Sequence, residues 1–115
     1  MATTRLTIHE YVTAQGTSPY RTWLGRFDTP LRARLQARVL RFETGNLGDH
    51  RAVGRGVWEA RCHFGAGYRI YFAKPGRAIL LLLLGGDKTS QREDIRRAQE
   101  YWTDYQGART HGTPK

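Results

Sequence analysis

Two shortages frame this chain of 115 residues: it has one cysteine, and its acids are outnumbered, 10 against 19 lysines and arginines. A lone Cys62 excludes an intramolecular disulfide and any cysteine-based metal site. The four histidines, His9, His50, His63 and His111, show no metal-ligand spacing, and neither a Walker-type phosphate loop nor a Gly-x-Ser-x-Gly elbow occurs. Metal-dependent and serine-nucleophile chemistry are therefore not expected, and no cofactor is implied. The longest apolar run, Ala78 to Leu84, is far short of the roughly 20 residues a membrane helix needs. No apolar stretch of the secretory kind follows Met1, so the expected location is the cytoplasm.

What is present has the balance of a soluble globular domain, with 39% apolar and 25% charged residues. The length fits one domain, expected over residues 1–106, with 107–115 as a mobile basic tail that has little to bury. The formal charge of +9 favours a polyanionic partner, and its carriers are mostly arginines, which pair bidentately with phosphate or carboxylate.

The organising stretch is Val57 to Lys88. Three strand-like runs are separated by turn signals at Gly65-Ala66-Gly67 and Lys74-Pro75-Gly76-Arg77, which predicts an antiparallel meander. In the first run Trp58, Ala60, Cys62 and Phe64 share one face, and Val57, Glu59, Arg61 and His63 the other. In the second, Tyr68, Ile70 and Phe72 oppose Arg69, Tyr71 and Ala73. The third is apolar on both sides, as a strand covered on both faces must be. Gly85-Gly86 is expected to break it, either as a tight turn or to let backbone approach a ligand.

Upstream, residues 4 to 12 alternate, with Leu6, Ile8 and Val12 against Arg5, Thr7, His9 and Tyr11, and predict a first strand. Ser18-Pro19 marks a helix start, followed by an apolar stripe of Tyr20, Trp23, Leu24 and Phe27. A second helix is expected from Pro30 to Thr44, closed by Gly45, burying Leu31, Leu35, Val39 and Phe42. These two helices are expected to cover the apolar face of the meander. The outer side of the second carries Arg34, Arg38 and Arg41, which reads either as a solvated face or as a footprint for a phosphate backbone. Residues His50 to Val53 suggest a short edge strand. Ser90 with Glu93 fits a capping box for a final helix whose stripe is Ile95, Ala98, Trp102 and Tyr105. The fold class is α+β: a small antiparallel sheet with two N-terminal helices and a C-terminal helix, in the order β-α-α-β-β-β-β-α.

The candidate site is the polar face of the meander, where neighbouring strands bring Arg61 and Arg69 to one ligand, with Lys88 at the mouth of the next loop. Such a set holds a phosphate and stabilises charge developing on it. The competing reading is a solvated sheet face with Glu59 paired to an arginine. Cleavage of RNA needs a base and an acid as well. Arginine, with a pKa above about 12, is neither, which leaves Glu59 and His63 for proton transfer. Tyr71 on the same face suits stacking on a base, or filling a gap against a helix.

Taken together, the element order, Gly65-Ala66-Gly67-Tyr68-Arg69-Ile70-Tyr71-Phe72 and Leu82-Leu83-Leu84-Gly85-Gly86-Asp87-Lys88-Thr89-Ser90-Gln91 resemble the RelE/ParE toxin superfamily, within it the HigB-like "addiction module killer" group. The resemblance spans roughly residues 3 to 105. It implies a toxin of a type II toxin–antitoxin system that cleaves mRNA on the ribosome without metal. Its implied partners are the ribosome, mRNA and an antitoxin, usually of helix-turn-helix type. By the same resemblance Arg69 takes the place of a phosphate-binding arginine, Arg61 of a basic strand residue in catalysis, and Lys88 of the basic residue after the final strand. Two positions depart from the pattern: Asp94 stands near a common tyrosine, and Glu59 replaces a basic residue. Suspicion for proton transfer thereby shifts to Glu59, His63, Asp87 and Asp94. The alternatives are a non-catalytic ParE-like toxin that binds DNA gyrase and a nucleic-acid-binding module that does not cut.

Overall fold

A computed structural model describes residues 5–111. The strands are β1 (Thr7–Glu10), β2 (His50–Gly54), β3 (Val57–Arg61), β4 (Arg69–Ala73) and β5 (Ile79–Gly86), and the helices are α1 (Pro19–Leu24), α2 (Thr29–Leu40) and α3 (Gln91–His111). The class is α+β, in the expected element order. The sheet runs β1-β5-β4-β3-β2. Its β2 to β5 part is an antiparallel meander, but β1 joins β5 in parallel, with Thr7 opposite Ile79 and Glu10 opposite Leu82. The helical hairpin between β1 and the meander permits that parallel return.

Both faces of the sheet are covered. On one side α1, α2 and the 3-10 turn after α2 seat Tyr20, Trp23, Leu24, Leu35, Val39 and Phe42 on Ala60, Cys62, Ile70, Phe72, Leu80 and Leu82. On the other, α3 lays Ala98 and Trp102 over Tyr11, Val57, Tyr71, Ala73, Leu81 and Leu83. The central β5, apolar throughout, belongs to both cores, as a strand buried on two sides should.

Local chemistry sets the helix starts. Ser18 accepts the amide of Arg21 with Pro19 next in line, and Asp28 accepts the amide of Leu31. The predicted second helix ends at Gly45 as expected, but its last turn, Arg41–Thr44, is a 3-10 helix, and Gly45 follows at φ 84°.

Several expectations are corrected. Val12 is exposed and Tyr11 is buried: the Tyr11 amide still donates to the Leu82 carbonyl of β5 at 2.9 Å, and alternation puts its ring on the sheet face that α3 covers, where its hydroxyl donates to Asp104 at 2.6 Å. The expected capping box at Ser90 and Glu93 sits one turn earlier: Asp87 accepts the Thr89 amide and Ser90 Oγ accepts the Asp87 amide. Helix α3 runs on to His111 through part of the expected tail, whose remaining residues, 112–115, lie outside the described ones. Gly85-Gly86 does not break β5 and makes no tight turn. Both residues are strand, and their missing side chains make room for Trp23 and Asp94.

Candidate functional site

Cross-strand register builds the site. Arg51 lies opposite Glu59, and Glu59 opposite Tyr71; in the next row Arg61 lies opposite Arg69, and Arg69 opposite Gly86. All these side chains point to the α3 side of the sheet. Two arginines directly opposed across strands repel, and the neighbouring row supplies the counter-charge. The Glu59 side chain is fully buried. Its Oε1 accepts Arg51 Nε at 3.0 Å, and its Oε2 accepts the Tyr71 hydroxyl at 3.1 Å and Gln91 Nε2, from the first turn of α3, at 2.8 Å. Arg61 Nε stands 3.8 Å from Oε1 and Arg69 Nε 3.5 Å from Oε2. These last two are ion-pair distances, and neither Nε has a hydrogen-bond partner among the described residues.

Burial pushes the Glu59 carboxyl upward, but the hydrogen bonds from Gln91, Arg51 and Tyr71 together with the Arg51 charge outweigh it, so its pKa falls below the ordinary carboxylate value. Glu59 is therefore a held anion. The Tyr71 hydroxyl moves the other way, up, through burial and the adjacent Glu59 charge.

The side chains of Arg51, Arg61 and Arg69 are 51%, 39% and 12% exposed, so the cluster opens toward solvent on the Arg51 and Arg61 side. Arg69 is fixed a second time by Nη1, which donates to the Gly67 carbonyl at 2.9 Å. Lys88 is exposed beside the same turn: a Cβ placed on Gly67 would lie 3.6 Å from Lys88 Cβ and 3.7 Å from Arg69 Nη1. Arg61, Arg69 and Lys88 are thus brought to one place.

Other candidates stand elsewhere. Tyr71 is not an open stacking platform: its ring is sealed in the core beneath α3. Glu59 is shut away from solvent, and its place is among the arginines it binds. Arg38 is not on the outer face of α2. At 6% exposure it is turned inward, and its guanidinium donates to the carbonyls of Leu47, Asp49 and Arg61. Burial pushes its pKa down. It works as a clasp between α2, the following loop and the end of β3.

Arg34 and Arg41 are exposed, and Arg34 lies over the Phe64 ring at 4.0 Å. His63 is exposed, with Nε2 paired to Asp49 Oδ2 at 2.6 Å. It lines a groove of about 280 Å³ with Arg38, Arg41, Asp49, Arg61 and Phe64.

Of the two suspected aspartates, Asp87 caps the turn before α3, and Asp94 is buried. Burial raises the Asp94 pKa despite the hydrogen bond from Ser90 Oγ. Sequence reasoning missed Arg51, Asp49 and Gln91. The register of the edge strand β2 would have found Arg51; nothing local links Gln91 to Glu59 across 32 positions. Among the described residues no group of three or more His, Cys, Asp or Glu is placed to hold a metal ion, and no helix is long and apolar enough to cross a membrane.

No protein-family model matches the chain. An uncharacterized protein of Haemophilus influenzae is 36% identical to it over 84 residues, which are 72% of this chain and 85% of that protein.

Proposed function

The chain belongs to one family with the uncharacterized Haemophilus influenzae protein, and we propose that it is the toxin of a type II toxin–antitoxin pair, a cytoplasmic, ribosome-dependent mRNA endoribonuclease of the RelE/HigB kind. One observation carries this reading: three guanidiniums, Arg51, Arg61 and Arg69, gather around a single carboxylate, with Lys88 beside them. Such a group keeps a positive surplus after its own counter-ion is counted. A surplus of that kind suits a phosphodiester and the more highly charged phosphorane formed from it.

In the reaction, the ribose 2′-oxygen attacks the adjacent phosphorus as its proton leaves to a base. The bond from phosphorus to the 5′-oxygen breaks, a 2′,3′-cyclic phosphate forms, and the departing oxygen takes a proton. Arg61 and Arg69 stabilise the phosphorane. His63, in the groove that Arg61 also lines, transfers protons, with Asp49 orienting its ring. Arg41 and Arg34 carry the RNA backbone onward along α2. No metal enters the scheme. The antitoxin, in this group usually a helix-turn-helix protein, presents acidic residues to this same basic surface.

A second reading rests on the sealing of Glu59 and Tyr71, which leaves few proton-transfer groups beside the arginines. In it the basic face is a contact surface, as in a ParE-like inhibitor of DNA gyrase. Cleavage of a defined mRNA on programmed ribosomes, run beside naked RNA and a gyrase supercoiling assay, separates the two. The expected result is cleavage on ribosomes alone, lost in the Arg61→Ala/Arg69→Ala double variant. Gyrase inhibition without cleavage replaces the nuclease reading with the second.

A further inference from the structure

Three arginines held to one buried carboxylate do more than neutralise it. All three approach Glu59 through Nε, the edge of the guanidinium fork nearest the chain, so the terminal nitrogens lie at the opposite end of each fork. The carboxylate itself cannot turn, because Tyr71 and Gln91 hold Oε2 from the core and from α3. Arg51 comes from the edge strand, Arg61 and Arg69 from the two strands beside it. Without a shared anion, Arg61 would swing away from the directly opposed Arg69, which its Nη1 bond to the Gly67 carbonyl still holds.

We infer that Glu59 is a positioning residue, which with Tyr71 and Gln91 presets Arg51, Arg61 and Arg69 as one receptor for an RNA phosphate, and that Arg51 is a full member of that receptor. The inference rests on the nuclease reading for its ligand. The preset geometry itself is a property of the unliganded protein and can be tested without RNA.

Charge and position pull in opposite directions here, which makes the test decisive. Glu59→Gln keeps the shape and removes one negative charge. If only net charge matters, the variant binds RNA more tightly than wild type. If Glu59 positions the arginines, it binds more weakly, because the glutamine amide nitrogen cannot accept from a guanidinium and the forks lose their common anchor. The probe is a short fluorescein-labelled single-stranded RNA, titrated at fixed salt. The expected change is a loss of about tenfold or more in affinity, the scale of one lost charge-assisted contact. Arg51→Ala, which touches nothing else in the core, gives a loss of similar size.

The companion readout is the set of arginine Nε–Hε resonances in the free protein. Those of Arg61 and Arg69 are expected to be dispersed in wild type and to collapse toward the position of exposed arginines in Glu59→Gln. Tyr71→Phe, which removes a single donor to Oε2 and keeps the charge, shifts both readouts the same way by less. It decides the matter alone if Glu59→Gln does not fold. RNA binding by Glu59→Gln as tight as wild type or tighter, or arginine resonances left unmoved by the folded variants, overturns the inference. The nuclease reading fails separately, through absence of ribosome-programmed cleavage by wild type, and the resonances and RNA affinities still decide the positioning role.

Discussion

Two buried carboxylates, Glu59 and Asp94, sit on the same face of the sheet and answer to pH in opposite senses. The folded Glu59 pKa lies below its ordinary value of 4.5. Its contribution to stability is therefore present above that value and lost as pH falls through the folded pKa. The folded Asp94 pKa lies above its ordinary value of 3.8, so its contribution is present below that value and lost as pH rises through the folded pKa. Urea denaturation across this range is expected to show Glu59→Gln with a shallower acid limb than wild type. Asp94→Asn is expected to be at least as stable as wild type near neutrality, with the advantage shrinking in acid. Glu59→Ala is the severe change, since it leaves Arg61, Arg69, Tyr71 and Gln91 without their shared partner; a loss of about 3–5 kcal/mol is expected at neutral pH. Arg38 follows the same logic. Arg38→Ala removes the guanidinium donor to the carbonyls of Leu47 and Arg61, while that of Asp49 keeps the Arg61 amide, and is expected to cost about 1–3 kcal/mol. Arg34→Ala and Arg41→Ala, at exposed positions, are expected to leave the denaturation midpoint within error and to weaken RNA binding alone.

At the scale of the element, a single irregularity in β5 decides how the two glycines are used. Register shifts between Tyr71 and Phe72, which pair with Leu84 and Leu82, so Leu83 is an extra residue in β5. Beyond it the alternation changes parity: Leu84 faces α3, Gly85 faces Trp23 of α1, and Gly86 faces Asp94 of α3. A Cβ on Gly85 would stand 2.1 Å from the Trp23 ring, and one on Gly86 1.8 Å from Asp94 Oδ2. The Trp23 indole is locked in the core and cannot yield, whereas Asp94 can rotate at the cost of its Ser90 bond. Gly85→Ala is therefore expected to lose about 1–3 kcal/mol, and Gly86→Ala less, measured by chemical denaturation.

That bulge also marks where the sequence stops being legible. Alternation in β3 and β4, the proline-capped helix starts and the apolar stripe of α3 are local patterns, and they placed every element in order. The burial of Arg38 and Tyr71 is not local. Arg38 satisfies carbonyls from a loop and a strand end 9 to 23 positions away, and a helical stripe of arginines gives no sign of which one turns inward. For Tyr71, strand parity allows both a stacking platform and a residue filling a gap against a helix, and the second holds because α3 lies across it, which nothing in β3 or β4 announces. The site was half legible for the same reason. Arg61, Arg69 and Glu59 follow from strand parity, while Arg51 needs the register of the edge strand and Gln91 needs the docking of α3.

For the molecule as a whole, the charge of +9 is a sum over very different arginines. Arg96 is paired with both Glu93 and Glu100 on α3, and Arg21 with Glu10. Arg38 spends its charge on backbone carbonyls. What is left to attract a polyanion includes Lys88, Arg41, Arg34 and the arginines that share Glu59, beside other exposed cations such as Arg26, Arg55, Lys74, Arg77 and Arg92. Each cation that neutralises a phosphate of single-stranded RNA releases counterions and adds about 0.7 to the slope of log affinity against log salt. The Arg61→Ala/Arg69→Ala variant is accordingly expected to lower that slope by about 1.4 and to weaken binding at every salt concentration. Arg96→Ala removes as much formal charge per residue from a position already neutralised by two acids, and the slope is expected to stay where it was. Fluorescence titrations of the same RNA over a salt series compare the three proteins directly. A slope that falls equally with Arg96→Ala would mean that the protein attracts RNA through its overall charge, and the arginine cluster would lose its claim as the point of contact.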